Sequence, residues 1–256
     1  MRTLFLSAAL FFAQISGAVA DDNPFIAGGV PASDREWNGG DYVATFQTIQ
    51  TRKVPLPLLE DKFGKQIIDR LTNTKNFALN KNKGLPLNQR LGDYLQIQQG
   101  LNSILKVYVT QANQGKDLHR ESAAILAFSL RVAALGVELV NEFIPTIPKD
   151  DKYEVRMQGL KQMYAGLTTS FAGAVTSLSE TKFYSDDDLT IILTAMHATL
   201  PILKQGFTPD YKGELQVRLA RYKKQFEGDD LKFVEGMIKT LKTEQDAAMK
   251  NQRKNE

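Results

Sequence analysis

Cysteine is absent from all 256 residues. That excludes disulfides, thiol nucleophiles and thiolate metal ligands. Histidine is almost as scarce, with only His119 and His197 in the chain. A zinc centre would have to lean on carboxylates, so no structural metal and no cofactor is expected. The chain also lacks HExxH, GxSxG and a phosphate-binding glycine loop ending in Lys-Ser or Lys-Thr, the short motifs that announce metalloprotease, serine hydrolase and nucleotide chemistry. A strong charge of either sign is missing as well: 32 Lys and Arg stand against 29 Asp and Glu. Nucleic-acid binding normally needs a clustered basic excess, and none is expected here.

Long apolar runs are few, and two matter. The first is N-terminal. Arg2 supplies a positive start, Leu4 to Phe12 form a short apolar core, and Ala18-Val19-Ala20 is a small-x-small site followed by Asp21-Asp22. This is the pattern of a secretory signal peptide over 1–20, with an apolar core too short to span a bilayer. The expectation is export to a periplasm or extracellular space after cleavage following Ala20. No cysteine follows the site to carry a lipid, and the mature chain is expected to have no transmembrane segment. Without disulfides, its stability has to come from a packed core, which 256 − 20 = 236 residues are enough to build.

The second run, Ser122 to Ile144, is apolar on nearly every side and ends at Pro145. On a helix turning about 100° per residue, Ile125, Phe128, Val132, Leu135 and Leu139 share one face, while Leu126, Leu130, Ala133 and Val137 cover much of the opposite one. Such a helix belongs inside a protein or inside a bilayer. Arg131 and Glu138 near its middle would each oppose insertion by roughly 2.5–3.5 kcal/mol, which favours the protein interior.

Two long periodic stretches flank it. Leu87, Leu91, Tyr94, Gln98, Leu101, Leu105, Tyr108 and Ala112 alternate steps of four and three, and so do Tyr153, Met157, Leu160, Tyr164, Leu167, Phe171, Ala174 and Leu178. A spacing averaging about 3.5 favours near-parallel packing, and the short connections make the three helices antiparallel neighbours. Residues 21–40 lack an apolar period and read as an irregular or mobile leader pinned by Trp37. Residues 41–51 suit a helix capped by Asp41 or a strand, and a helix is expected from about Leu58 to Leu71. Beyond Leu178, Ser185 and Asp188 form a capping box for a helix that Pro201 should kink or end. Two amphipathic helices follow, at about 214–226 and 230–241, and residues 243–256 read as a polar, fraying tail. The expectation is therefore an all-α, multi-helix bundle of long antiparallel helices, a single domain over 41–242, around a central apolar helix at about 122–144.

Candidate site residues are few. Arg120, Arg131 and Glu138 fall within about 20° of one another on the central helix, beside the small residues Ala127 and Ala134. The stripe is either the one seam of that helix that meets water or a buried polar pocket. In the second case Arg156 and Tyr164 on the following helix are the expected partners, and Arg131, Glu138, Arg156 and Tyr164 the ligand-binding set. Tyr94, Tyr108, Tyr153 and Tyr164 lie at heptad positions where a ligand groove or an ordinary core would put them. The acids Asp186-Asp187-Asp188 lack the ligand frame of a calcium loop and are explained by the positive end of a helix dipole. No helix joins a basic face to a wide aromatic one, so a membrane-surface role is weakly supported.

Function is thus read as a non-catalytic, exported binding or structural protein of the cell envelope, with an unknown protein or small molecule as partner. The alternative is a hydrolase or transferase with a carboxylate–histidine site in the bundle core, drawing on His119, Glu121, Glu138 and His197. Intact-mass analysis of the exported form should give an N-terminus at Asp21; a chain that still begins at Met1 would refute the signal assignment.

Overall fold

The computed structural model describes residues 23–255 apart from 33–34, 52 and 181–182. The signal segment 1–20 lies outside them. Ten α-helices and no strand occur among the described residues. In chain order they are α1 (Pro24–Ala27), α2 (Gly39–Gln50), α3 (Lys62–Leu71), α4 (Ala78–Lys81), α5 (Leu87–Ala112), α6 (His119–Phe143), α7 (Tyr153–Ser177), α8 (Asp186–Leu203), α9 (Pro209–Tyr222) and α10 (Gly228–Asn255). The fold is an all-α helical bundle.

Local chemistry sets most of these boundaries. α2 starts at a capping box in which the Asn38 side chain accepts from the Asp41 N–H and the Asp41 carboxylate accepts from the Asn38 N–H. Asp41 is therefore the third helical residue and not the cap, and the ambiguous segment is helix. α3 starts later than expected, at the Asp61 cap, whose carboxylate accepts the Gly64 N–H, while the Leu59 N–H is taken by Glu121. The box of Ser185 and Asp188 opens α8 as the sequence implies. Pro201 lies inside α8 on its exposed side, and the helix runs two residues past it before tightening into a 3₁₀ turn at Lys204–Gly206. α10 continues to Asn255, through the stretch expected to fray. Its Lys, Glu, Gln, Ala and Met residues are good helix formers.

α6 is buried along almost its whole length, as its composition requires. α5 and α7 flank it, but the most extensive cover comes from α8, whose Leu189, Ile192, Leu193, Met196 and Leu200 are buried. α10 packs on α8, α9 packs on α10 and α7, and α2 packs on α5. Gly39 faces Asp93 and Gln96 while Gly100 faces Tyr42, so α2 and α5 run in the same direction, with α3 and α4 in the connection between them. The described part of the leader is seated on the core. Phe25, Val30 and Trp37 are buried, and the Trp37 N–H donates to Asn76 Oδ1 at 2.9 Å. Three anchors spaced this widely leave no periodic signal, yet each fills a place in the core.

Two close approaches lock α5 in place. A Cβ at Gly100 would lie 2.8 Å from the Tyr42 carbonyl carbon, and one at Gly136 would lie 2.2 Å from the Tyr94 hydroxyl. That hydroxyl is buried with no hydrogen-bond partner, wedged against the backbone of α6. Phe128 stacks between Tyr42 and Phe77, at centroid distances of 6.5 and 5.4 Å, and ties α2 and the α4 region to α6.

Leu135→Ala, at a position 4% exposed, should lower stability by roughly 2–5 kcal/mol in a denaturant melt. Gly136→Ala should lower it by about 1–3 kcal/mol through overpacking, and Tyr94→Phe should relieve part of that loss. Additive effects of Gly136→Ala and Tyr94→Phe would show that the two residues do not press on each other.

Candidate ligand-binding grooves

The stripe on α6 proves to be its wet seam. Arg120 and Glu138 are exposed and Arg131 is half-buried. Arg131 and Glu138 form no ion pair with each other or with any other described residue. Together with Ala134 and Leu135 they wall a shallow hollow of about 190 Å³, closed by Phe77 and Lys81 on one side and Thr199 and Ile202 on the other. Lys81, Leu135 and Glu138 also border a neighbouring hollow of about 490 Å³.

Arg156 and Tyr164 are not brought to this seam. The Arg156 guanidinium donates to both carboxylate oxygens of Asp150, at 2.7 and 3.0 Å, and to the Pro148 carbonyl. Arg156 lies in the first turn of α7, so the loop just before that helix supplies its partner. The Tyr164 hydroxyl donates to Asn141 Oδ1 at 2.5 Å. Tyr94 and Tyr108 are core residues, and the Tyr108 hydroxyl donates to the Pro57 carbonyl at 2.7 Å.

The second hollow has a polar floor that the sequence does not announce. Arg90, only 5% exposed, donates from Nε to the Asn80 carbonyl at 2.6 Å and from Nη1 to Glu142 at 2.7 Å, while Asn80 Nδ2 returns a bond to the Arg90 carbonyl. The guanidinium hydrogen bond holds the Glu142 carboxyl below its usual range. Arg90 is held by both neighbours, while Asn80 Oδ1 is buried without a partner among the described residues.

Two of the four acid–base residues, His119 and Glu121, are committed to structure. His119 Nδ1 lies 2.5 Å from Asp188 Oδ2, and its Nε2 lies 3.0 Å from Asp117 Oδ1. Asp188 also accepts from the Ser185 N–H and hydroxyl. The serine hydroxyl rests on the acid and not on the imidazole, so this is a pin between the starts of α6 and α8, not a nucleophile–base pair. Burial raises the Asp188 pKa, but the bonds from Ser185 and His119 outweigh it and leave the carboxyl below its usual value. Glu121 is buried and accepts the Leu59 N–H at 2.7 Å. His197 is exposed beside the Phe233 ring. None of His119, Glu121, Glu138 and His197 is hydrogen-bonded to another of the four.

A larger groove, of about 830 Å³, lies between α2 and α5 and extends to Lys116 in the α5–α6 connection. Its two walls differ. α2 and the chain after it contribute Phe46, Ile49, Val54, Pro55 and Leu56, with Gln50 the polar exception; α5 and the residues after it contribute Ser103, Lys106, Thr110, Gln111, Gln114 and Lys116, with Val107 the apolar exception. No described carboxylate or imidazole lines it. The sequence carries a trace of this wall: Ser103, Val107, Thr110 and Gln114 repeat the four-three-four spacing of the core stripe beside them. The apolar wall is hidden, because Pro55 and Pro57 mark that segment as a breaker. Compared with known proteins, the chain matches no family model, no curated protein and no solved structure.

One carboxylate is poorly housed. Asp93 Oδ1 accepts the Gly39 N–H at 2.6 Å, while its Oδ2 is buried without a partner. Burial raises its pKa above the usual 3.8 despite that bond. The two aspartates should therefore give opposite pH signatures. Asp188, with a depressed folded value, contributes stability above about pH 4 that is lost as pH falls through that value. Asp188→Asn should cost on the order of 1–3 kcal/mol at neutral pH and progressively less in acid. Asp93, with a raised value, detracts from stability once it ionises, so Asp93→Asn should gain on wild type as pH rises from about 4. Denaturant melts between about pH 3 and 8 read both, and parallel pH profiles for the two variants would contradict the assignments.

Proposed function

We propose that the chain is an exported helical protein of the cell envelope that binds a small ligand without transforming it, in the groove between α2 and α5. The observation that carries this reading is the makeup of the groove. Its volume of about 830 Å³ sits within the roughly 300–1,000 Å³ of ligand sites, and its apolar floor has only amide, hydroxyl and ammonium groups around it. Such groups orient a molecule; they are not arranged as nucleophile, base and orienting acid. Support for a binding role also comes from His119 and Glu121, whose side chains are already held in structural hydrogen bonds.

The hollow beside Arg131 and Glu138 is the lesser candidate. At about 190 Å³ it falls below the usual size of a ligand site, and in its larger neighbour the Arg90 guanidinium is already bonded to Glu142 and the Asn80 carbonyl. Export rests on the signal pattern of residues 1–20.

A neutral apolar dye such as N-phenylnaphthylamine tests the groove. Saturable, one-site fluorescence enhancement is expected with the folded protein. It should be lost in Val107→Trp and in Ser103→Trp, each of which fills the groove, with helical circular dichroism unchanged. Dye binding that survives both fillings, or the absence of saturable binding to wild type, would overturn the reading.

A further inference from the structure

We infer that the ligand of this groove is a slender organic anion of the fatty-acid kind, an apolar chain ended by one carboxylate. The inference rests on the binding role proposed for the groove and adds the chemistry of what it holds.

Shape comes first. The α5 wall runs from Ser103 to Gln111, eight steps along a helix, or about 12 Å at 1.5 Å per residue, and continues to Gln114 in the turn that follows. The opposite wall is mostly apolar, from Phe46 through Ile49 to Val54, Pro55 and Leu56, with the Gln50 amide among them. A long, narrow apolar strip is matched by an extended hydrocarbon chain, whose burial is favourable by about 25 cal/mol per Å².

Charge decides the head group. The only charged side chains lining the groove among the described residues are Lys106 and Lys116, and no acid stands among them. Among the described residues Lys106 has no ion-pair partner, and Lys116 donates to the neutral Gln111 Oε1, at 2.7 Å. Elsewhere some exposed cations are neutralised by acids, as Lys65 is by Asp69, Arg156 by Asp150, Lys223 by Glu235 and Lys232 by Asp229; the two groove lysines are not. The groove is thus a local positive field over an apolar floor, and the complementary molecule is apolar with a negative end. The carboxylate belongs at the end where Gln111, Gln114 and Lys116 meet. There an ammonium group and two amides give it charge-assisted and neutral donors, while the tail runs back over Val107 and Ile49 toward Phe46.

Displacement of the neutral dye by laurate, dodecanol and dodecyltrimethylammonium, each below its micellar concentration, tests this with the full mature chain. Laurate should bind at least about tenfold more tightly than dodecanol, a difference of one decade or some 1.4 kcal/mol, and the cation should bind most weakly. In Lys106→Gln/Lys116→Gln the advantage of laurate over dodecanol should shrink to near parity while dodecanol and dye affinities hold. Lys116→Gln alone should remove more of it than Lys106→Gln alone. Equal affinity of laurate and dodecanol for wild type, or a laurate advantage that persists in the double variant, would overturn the inference. With the dye still bound in the groove, either result leaves the binding role standing and removes only the ligand class. A wild type that fails to bind the dye removes the binding role itself.

Discussion

A helix with apolar atoms on every side has to be covered on every side, and the architecture follows from meeting that demand for α6. Leaving a single large aliphatic side chain in water forgoes about 1.5–3 kcal/mol, and α6 carries Ile125, Leu126, Phe128, Leu130, Val132, Leu135, Val137, Leu139 and Val140 around its circumference. One neighbour cannot cover them. α5 and α7 take the flanks they reach through short connections, and α8 takes the broadest face. The charges of α6 are left on the narrow seam between α4 and α8, which is where Arg131 and Glu138 emerge.

The cover has to come close, and glycine makes that possible in two places. At Gly136 the ring of Tyr94 sits where a side chain would be, and at Gly100 the backbone of Tyr42 does the same. α5 is thereby held between α2 and α6 at distances no alanine would permit. The same closeness leaves the Tyr94 hydroxyl and one Asp93 oxygen without partners. Tight packing around α5 and imperfect polar satisfaction beside it are two results of one geometry.

How much of this was legible in the sequence depends on the range of the interaction involved. The Ser185–Asp188 box, the two flanking heptad runs and the all-round apolarity of 122–144 are local patterns, and each appears in the structure where the pattern puts it. The wheel also places Arg131 and Glu138 together on one seam. The dominance of α8 as cover, the seating of Phe25, Val30 and Trp37, and the Arg90–Glu142 pair join residues far apart in the chain, and no period records such meetings. Arg156 was assigned across to α6 because wheel geometry ignores loops; Asp150, six residues away, is its partner. The α2–α5 groove was hidden for a related reason. Half of its wall is a proline-broken segment whose apolar residues, Val54 and Leu56, acquire a neighbour only when Tyr108 binds the Pro57 carbonyl and brings that segment against α5.

The position of α8 has a consequence for the chain before it is folded. Its start at Asp186 lies 43 residues beyond the end of α6 at Phe143 (186 − 143), so the broadest face of α6 stays bare while that length of polypeptide is still being delivered. In a chain exported as proposed, this bare face passes through a translocation channel that releases sufficiently apolar segments sideways into lipid. Arg131 and Glu138 weigh against that release during transit. Once α6 has crossed, it remains an exposed apolar surface until α8 follows it.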